Sequence, residues 1–308
     1  MKLIFIGSGE IGVPTLRGLA KAHEILAVFT RPDRPAGRGQ KPRPTPIKET
    51  ALELGLPLYQ PESVNSPESL GLIRGLEPEL IVVAAYGEIL SKELLAIPGR
   101  GAINLHASLL PKYRGAAPIQ WAIIRGEQET GITTFLMDEG MDTGEILLQR
   151  AIPIEEEDTA GSVHDKLAEV GMEVMLATLE GLERGTLKPR PQDHSQATYA
   201  PKIEKDLGRL DWSRPSREIF NLIRGLNPSP GAFTFFRGKR LKVHRSRVVE
   251  GPYQGRPGEV VGVDEGFTVK TGDEALELVE VQPEGKRRMS GPDFIRGYRV
   301  ELKERLGE

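Results

Sequence analysis

Asn104, His106 and Ser108 alternate where an apolar run gives way to a turn-rich segment, within Gly101-Ala-Ile-Asn-Leu-His-Ala-Ser-Leu-Leu-Pro-Lys-Tyr-Arg-Gly-Ala-Ala-Pro118. In a strand successive side chains point to opposite faces, so these three share one face while Ile103, Leu105 and Ala107 turn into the core. An amide and an imidazole are thereby aimed into one space. Further along, Met137-Asp-Glu-Gly-Met-Asp-Thr-Gly144 is a glycine-punctuated acidic loop, and its Asp142 is expected to reach the same imidazole. A carboxylate, an imidazole and a neutral amide suit acyl transfer without a covalent nucleophile. One donor polarises a carbonyl, and the other groups move or hold a proton.

Other chemistries find less support. There is no Gly-x-Ser-x-Gly elbow and no Gly-x-x-x-x-Gly-Lys-Ser/Thr loop, as serine acyl-enzyme chemistry and ATP use would require. Cysteine is absent, which excludes a disulfide, a thiolate nucleophile and a thiolate-held metal. The remaining histidines, His23, His164, His194 and His244, show no ligand spacing with His106, so no metal is expected. Gly7-Ser-Gly9-Glu-Ile-Gly12 fits the dinucleotide fingerprint formally, but strand two ends Phe29-Thr30-Arg31 and the acid, Asp33, lies beyond Pro32. A strand–helix turn needing glycines for close packing is the plainer reading. A helix N-terminus that receives a phosphate or carboxylate of the acceptor is a third.

The elements around these residues alternate. Leu3–Ile6 reads as a buried strand, Val13–Ala22 as a helix with Pro14 near its start, and Ile25–Thr30 as the next strand. Ala51–Leu54, the Leu80–Tyr86 strand and the Ala102–Leu105 strand continue the pattern, with helices around Ile119–Ile124 and over Val163–Leu182. This is an α/β chain with a Rossmann-like, mostly parallel sheet, and its ligand site is expected at the carboxyl ends of the strands. A catalytic domain over 1–188 and a polar, Pro-punctuated linker over 189–206 are expected, followed by a C-terminal domain over 207–308. There Ser216–Arg224 reads as a short helix, and Ala232–Phe236, Leu241–Ser246, Glu259–Val263, Phe267–Lys270 and Leu276–Val281 as closely spaced strands of a small β-barrel. With Met1-Lys-Leu-Ile-Phe-Ile opening a strand at once and no apolar run of membrane length, a soluble cytoplasmic protein is expected.

Net charge is −3 over 308 residues, but its distribution is uneven. From Arg209 to Arg256 eleven Lys and Arg face three acids, and Arg31–Lys48 holds six basic residues against Asp33 alone, with five prolines and two glycines. Screening limits charges to about 8–10 Å, so a basic face attracts phosphate even on an acidic protein. The Arg31–Lys48 segment is expected to be a mobile loop whose cations meet phosphate on binding. Solvated surface is the alternative for both stretches.

Asn104-x-His106, Ser108-Leu-Leu-Pro111, Arg114-Gly-Ala-Ala-Pro118 and Asp142-Thr-Gly144 resemble the 10-formyltetrahydrofolate-dependent formyltransferases, in matching order over essentially the whole chain. Pro32-Asp-Arg-Pro-Ala-Gly-Arg-Gly39 is similar to the acceptor-stem loop of the branch that acts on methionyl-tRNA. The resemblance implies a formyl group passed from 10-formyltetrahydrofolate to the α-amino group of methionine on initiator tRNA for translation initiation, with no metal, no membrane and no obligate protein partner. It implies that the second domain is OB-like. Asn104 would donate to the developing oxyanion, and His106 would add a second donor or take part in proton transfer. Asp142 would hold the histidine tautomer or relay a proton through water. The folate would lie near Tyr86, Gly87, Ile89 and Leu90 and near Asp138 and Gly140, with Ser108, Leu109, Leu110 and Pro111 walling the formyl side. Arg34, Arg38, Lys41 and Arg43 would meet tRNA, as would Arg237, Lys239, Arg240, Lys242 and Arg245; Arg38 matches the arginine that engages the acceptor end. A formyltransferase for a sugar-nucleotide or other small amine needs neither basic region. A nicotinamide oxidoreductase would rest on Gly7–Gly12, and a tRNA-binding module without catalysis leaves Asn104, His106 and Asp142 unexplained.

Overall fold

A computed structural model describes residues 1–36, 41–264 and 266–307, with Ala36 and Lys41 described by their backbone. The chain divides into two compact units. The first comprises Met1–Pro118, Glu129–Pro153 and His164–Pro201; the second comprises Ile119–Gln128, Ile154–Val163 and the chain from Lys202 onward.

The first unit is built on β1 (Lys2–Gly7), β2 (Glu24–Phe29), β5 (Leu58–Tyr59), β6 (Leu80–Ala84), β7 (Ala102–His106), β8 (Glu129–Leu136) and β9 (Ile146–Pro153), in the order β5-β2-β1-β6-β7-β8-β9. β5 through β7 are parallel, and β6 is buried at every position, as a strand covered on both faces must be. β8 and β9 run antiparallel on the far edge. Sequence reading missed both, because the threonines of β8 are buried in hydrogen bonds rather than alternating with apolar residues. Thr134, for example, bonds Thr178 at 2.7 Å. The helices are α1 (Val13–Ala22), α2 (Pro46–Glu53), α3 (Pro67–Leu76), α4 (Lys92–Leu95), α5 (Pro118–Ile124) and α6 (Ala160–Glu183), of which α5 and α6 contribute residues to both units. α2 and α3 start on Thr45 and Ser66, whose side chains accept from Lys48 and Ser69 N–H, with Pro next in line. On α6, Gly171 lets the helix approach Leu105 and Ile132 of the sheet.

The basic segment differs from the mobile loop expected. Its described ends pair as β3 (Arg34–Ala36) and β4 (Lys41–Arg43), and α2 then begins at Pro46 with Ile47 fully buried. A two-stranded ribbon tolerates the prolines that a central strand would reject. Residues 37–40, Arg38 among them, lie outside the described residues.

In the second unit α7 (Ser216–Gly225) precedes β10 (Ala232–Phe236), β11 (Lys239–Val249), β12 (Val260–Gly262), β13 (Thr268–Lys270), β14 (Ala275–Pro283), β15 (Met289–Ser290) and α8 (Gly291–Tyr298). The sheet order is β10-β11-β14-β13-β12, with β15 on β14. The chain beyond α8 closes it: Val260 N–H donates to Glu304 and Leu306 N–H to Gly258, while Gly307 N–H donates to Phe235 at the opposite edge. The result is the expected small antiparallel barrel. Trp212, Phe236, Phe267 and Phe294 fill it, and Phe294 stacks on Phe267 and Tyr298. Among the described residues no helix is long and apolar enough to cross a membrane.

Candidate active site

β7 ends in His106, which is buried, held at one ring nitrogen and facing a carboxylate with the other. Nε2 lies 2.9 Å from the Tyr113 carbonyl and Nδ1 3.6 Å from Asp142 Oδ2. A carbonyl only accepts, so Nε2 carries its hydrogen. In the neutral ring, Nδ1 then presents a lone pair toward the carboxylate. Two residues earlier on the same face, Asn104 Oδ1 is buried without a hydrogen-bond partner among the described residues. Such an orphan costs about 1–3 kcal/mol, and native chains keep few of them. The alternation sets Asn104 and His106 on one face of the strand, and the acidic loop sets Asp142 beside the imidazole.

Asp142 arrives by a longer route than spacing suggests. β8 runs antiparallel to β7, with Leu136 opposite Ile103 and Thr133 opposite His106. The acidic loop thus leaves β8 beside the start of β7, about 10 Å from its end. It folds back over the sheet: Gly144 packs so closely on Leu136 that a Cβ would stand 1.7 Å from its carbonyl oxygen. Asp142 adopts φ 55°, and its Oδ2 accepts from Gly115 N–H at 2.7 Å.

Residues given no site role from sequence hold this arrangement. The polar stretch read as linker instead runs along the first unit. Arg190 and Ile146 exchange backbone hydrogen bonds, Thr198 Oγ1 accepts from Tyr113 N–H, and Ala200 N–H donates to Arg114. Gln192 Nε2 donates to the carbonyls of Asp142 and Gly144, and its Oε1 accepts from the buried Arg114. Thr133 and Gln149, on neighbouring antiparallel strands, bond the Ser108–Leu110 turn. Only the polar residues and proline spacing signalled these roles, and composition reads both as a connector.

The loop after β6 is fixed from behind. Tyr86 and Leu90 point into the core, and Gly87 takes φ 78°. Ile89 is 63% exposed, as is Met141 at 47% on the acidic loop. Burial raises the Tyr86 phenol above its usual range. Arg31 donates to the carbonyls of Tyr86 and Gly87 and lies over the Tyr86 ring, while Asn65 donates to Glu88 and to the Ile89 carbonyl. Asp138 Oδ1 accepts from Gly140 N–H and from Thr143, holding the start of the acidic loop. Ser108 is fully buried, its hydroxyl donating to Lys112, and a cis bond joins Leu110 to Pro111. In the Gly7–Gly12 turn, Gly9 N–H donates to Ala85, and Cβ atoms at Gly7 and Gly9 would strike Ala84 and Ala85. The glycines serve close packing, as the plainer reading held, and that N–H is unavailable to a phosphate.

The basic residues separate into two kinds. Arg34 stands directly opposite Arg43, an arrangement of like charges that disfavours the ribbon, and the ion-pair partner of Arg34 among the described residues is Glu62, at 3.9 Å. On the barrel, Arg240 lies 3.6 Å from the Phe233 centroid and Arg209 5.6 Å from that of Phe235. Lys239 is exposed and Lys242 half-buried, and Arg245 pairs with Glu157 at 3.0 Å. Arg237 is committed elsewhere: its fork bonds Glu304 twice and the carbonyls of Tyr298 and Arg299.

A strand-end amide and imidazole faced by a carboxylate, on a mostly parallel sheet followed by a barrel, suit an acyl-transfer enzyme. Residues 1–179 match the formyl transferase family and residues 202–299 the formyl transferase C-terminal domain, so the chain belongs to the formyl transferases. It is 51% identical to the methionyl-tRNA formyltransferase of Caldanaerobacter subterraneus subsp. tengcongensis, over 97% of this chain and 98% of that one. It is 48% identical to the methionyl-tRNA formyltransferase of Moorella thermoacetica, over 100% and 99%. Among solved structures, the sugar 3N-formyl transferase WlaRD superposes with a TM-score of 0.68 at 19% identity, over 93% of this chain and 99% of that one. HypX from Aquifex aeolicus, crystallised with tetrahydrofolic acid, superposes at 0.64 and 21% identity over 99% of this chain, which spans 48% of HypX. These two likenesses concern the fold.

Proposed function

We propose that this enzyme transfers the formyl group of 10-formyltetrahydrofolate to the α-amino group of methionine on initiator methionyl-tRNA. The observation that carries the reading is the set of unpaired acceptors at the end of β7, Asn104 Oδ1 and His106 Nδ1 beside Asp142, within a chain that aligns with methionyl-tRNA formyltransferases along its whole length. An amine is what such acceptors lack. The methionine amine bonds to the formyl carbon of the folate, the C–N10 bond breaks as the adduct collapses, and the proton given up by the amine ends on N10, which leaves as tetrahydrofolate. Two exposed apolar side chains, Ile89 and Met141, offer the surface that a flat heteroaromatic ring covers, and the backbone of 86–90 is fixed to receive its polar edge.

The residues divide the work as follows. With Nε2 tied to Tyr113, His106 can take a proton from the attacking amine only at Nδ1. Asp142, 3.6 Å away, then neutralises the imidazolium. Asn104 turns its amide hydrogens to the formyl oxygen as negative charge develops there. The tRNA is drawn by Arg34 and Arg43, whose mutual repulsion a phosphate relieves, and by Arg240, Lys242 and Lys239 on the barrel. Arg38 and Lys41 lie in the same basic stretch of the sequence. An aminoacyl-tRNA acceptor implies the cytoplasm as the place of reaction.

The test is direct: purified protein, 10-formyltetrahydrofolate and methionyl initiator tRNA should yield formyl-methionine, detected by mass after ester hydrolysis. Formylation of a sugar-nucleotide amine with methionyl-tRNA untouched would overturn the reading.

A further inference from the structure

We propose that Gln192 is a positioning residue for the His106–Asp142 pair, acting with the buried guanidinium of Arg114. The proposal rests on the proton-handling role given to that pair. His106 and Asp142 sit on separate segments, the first held through the 111–117 turn and the second at the tip of a loop that has folded back along the sheet. Gln192 joins them. Its Oε1 accepts from Arg114 Nε at 3.2 Å and from a terminal nitrogen at 2.6 Å, and its Nε2 donates to Asp142 O at 2.9 Å and Gly144 O at 2.7 Å. This exhausts the bonding capacity of an amide.

Arg114 lies on the same turn as Tyr113, whose carbonyl fixes His106 Nε2, and Gly115, whose N–H fixes Asp142 Oδ2. At 2% exposure its guanidinium bonds two neutral acceptors, Gln192 Oε1 and His194 Nδ1. A charge so placed polarises the Gln192 amide and strengthens the N–H donors on its other end. The backbone of Asp142 is thereby held in the left-handed region, from which the carboxylate reaches both Gly115 and the lone-pair side of His106. Without those two donors the backbone of 142–144 is no longer held to the turn through Gln192 and Arg114, and the Asp142 Oδ2 bond from Gly115 N–H is left to set the 3.6 Å separation.

Gln192→Glu isolates this role. It keeps shape and the Arg114 contact, but sets an acceptor against two carbonyls. With methionyl-tRNA and folate saturating, kcat should fall about 10–100-fold, the scale of a displacement near 1 Å, with both KM values within about threefold of wild type. In an Asp142→Asn background the same change should cost less than about twofold, because the group it positions is already gone. Wild-type kcat in Gln192→Glu, or equal loss in both backgrounds, overturns the proposal. Thermal melts check folding, and if Gln192→Glu does not fold, Arg114→Lys enters the same cycle, with the same losses expected and the same two results overturning the proposal. Should wild type not formylate methionyl-tRNA, the functional reading fails separately, and the ring ¹⁵N shifts of His106 decide this one without substrate. Gln192→Glu should move them as Asp142→Asn does, and unchanged shifts refute it.

Discussion

His106 illustrates how a single residue's role is fixed by what its atoms already bind. One nitrogen is spent on a carbonyl, so the proton transfer proposed for this residue falls to the other. Asn104 is the complement, a polar group with a buried oxygen left unbonded. Asn104→Ala should cut kcat by about 10²–10³-fold while leaving the thermal midpoint unchanged or raised, since it deletes an unsatisfied atom rather than a bond. A variant that lost stability but kept turnover would show the amide to be a structural brace. The rate should also climb with pH through the ionisation of the substrate amine, and a pH-independent rate from acid to neutral would contradict attack by a free amine.

At the scale of elements, the antiparallel edge decides where the carboxylate lands. Gly144 permits the fold-back, so Gly144→Ala should force the loop off Leu136, lowering the melting temperature by an overpacking cost of about 1–3 kcal/mol and reducing kcat together. Melting and turnover both at wild-type values would show that the loop has room. In the barrel, His244 is held neutral: burial lowers its pKa from 6.5, the Arg288 and Lys242 charges add to this, and the Gln282 hydrogen bond and Glu280 oppose it. A group with a lowered folded pKa contributes stability above its unfolded value and loses it as pH falls through the folded one. Stability should therefore decline below about pH 6.5, and His244→Gln should flatten that decline in chemical denaturation across pH 5–8.

Over the whole molecule, a net charge of −3 coexists with local basic faces, and the structure sorts cations that composition counts alike. Arg237 closes the two-residue turn between β10 and β11, at φ 48° and followed by Gly238 at 71°, and bonds the chain's C-terminal stretch. Arg237→Ala should lower the melting temperature. Arg240→Ala with Lys242→Ala should instead leave melting intact, weaken tRNA binding and reduce the slope of log K against log salt by up to about 0.9 per lost phosphate contact. An unchanged salt slope would remove these two residues from the interface.

Much was legible from sequence because it depended on local rules. Strand alternation put Asn104 and His106 on one face, and the apolar blocks of β1 and β6 announced a parallel sheet. The short strands after Ala232 announced a small barrel. The family resemblance rested on the same short motifs. Pairing between distant segments was not legible. Nothing local says that β8 turns antiparallel, that its loop must double back to deliver Asp142, or that Gln192 in a connector-like stretch completes the brace. Those outcomes depend on hydrogen bonds between residues far apart in the chain, where polar side chains are buried against distant partners, Thr133 against Ser108 and Arg114 against Gln192. Composition ranks such residues as surface, and only the tertiary structure shows which of them find partners.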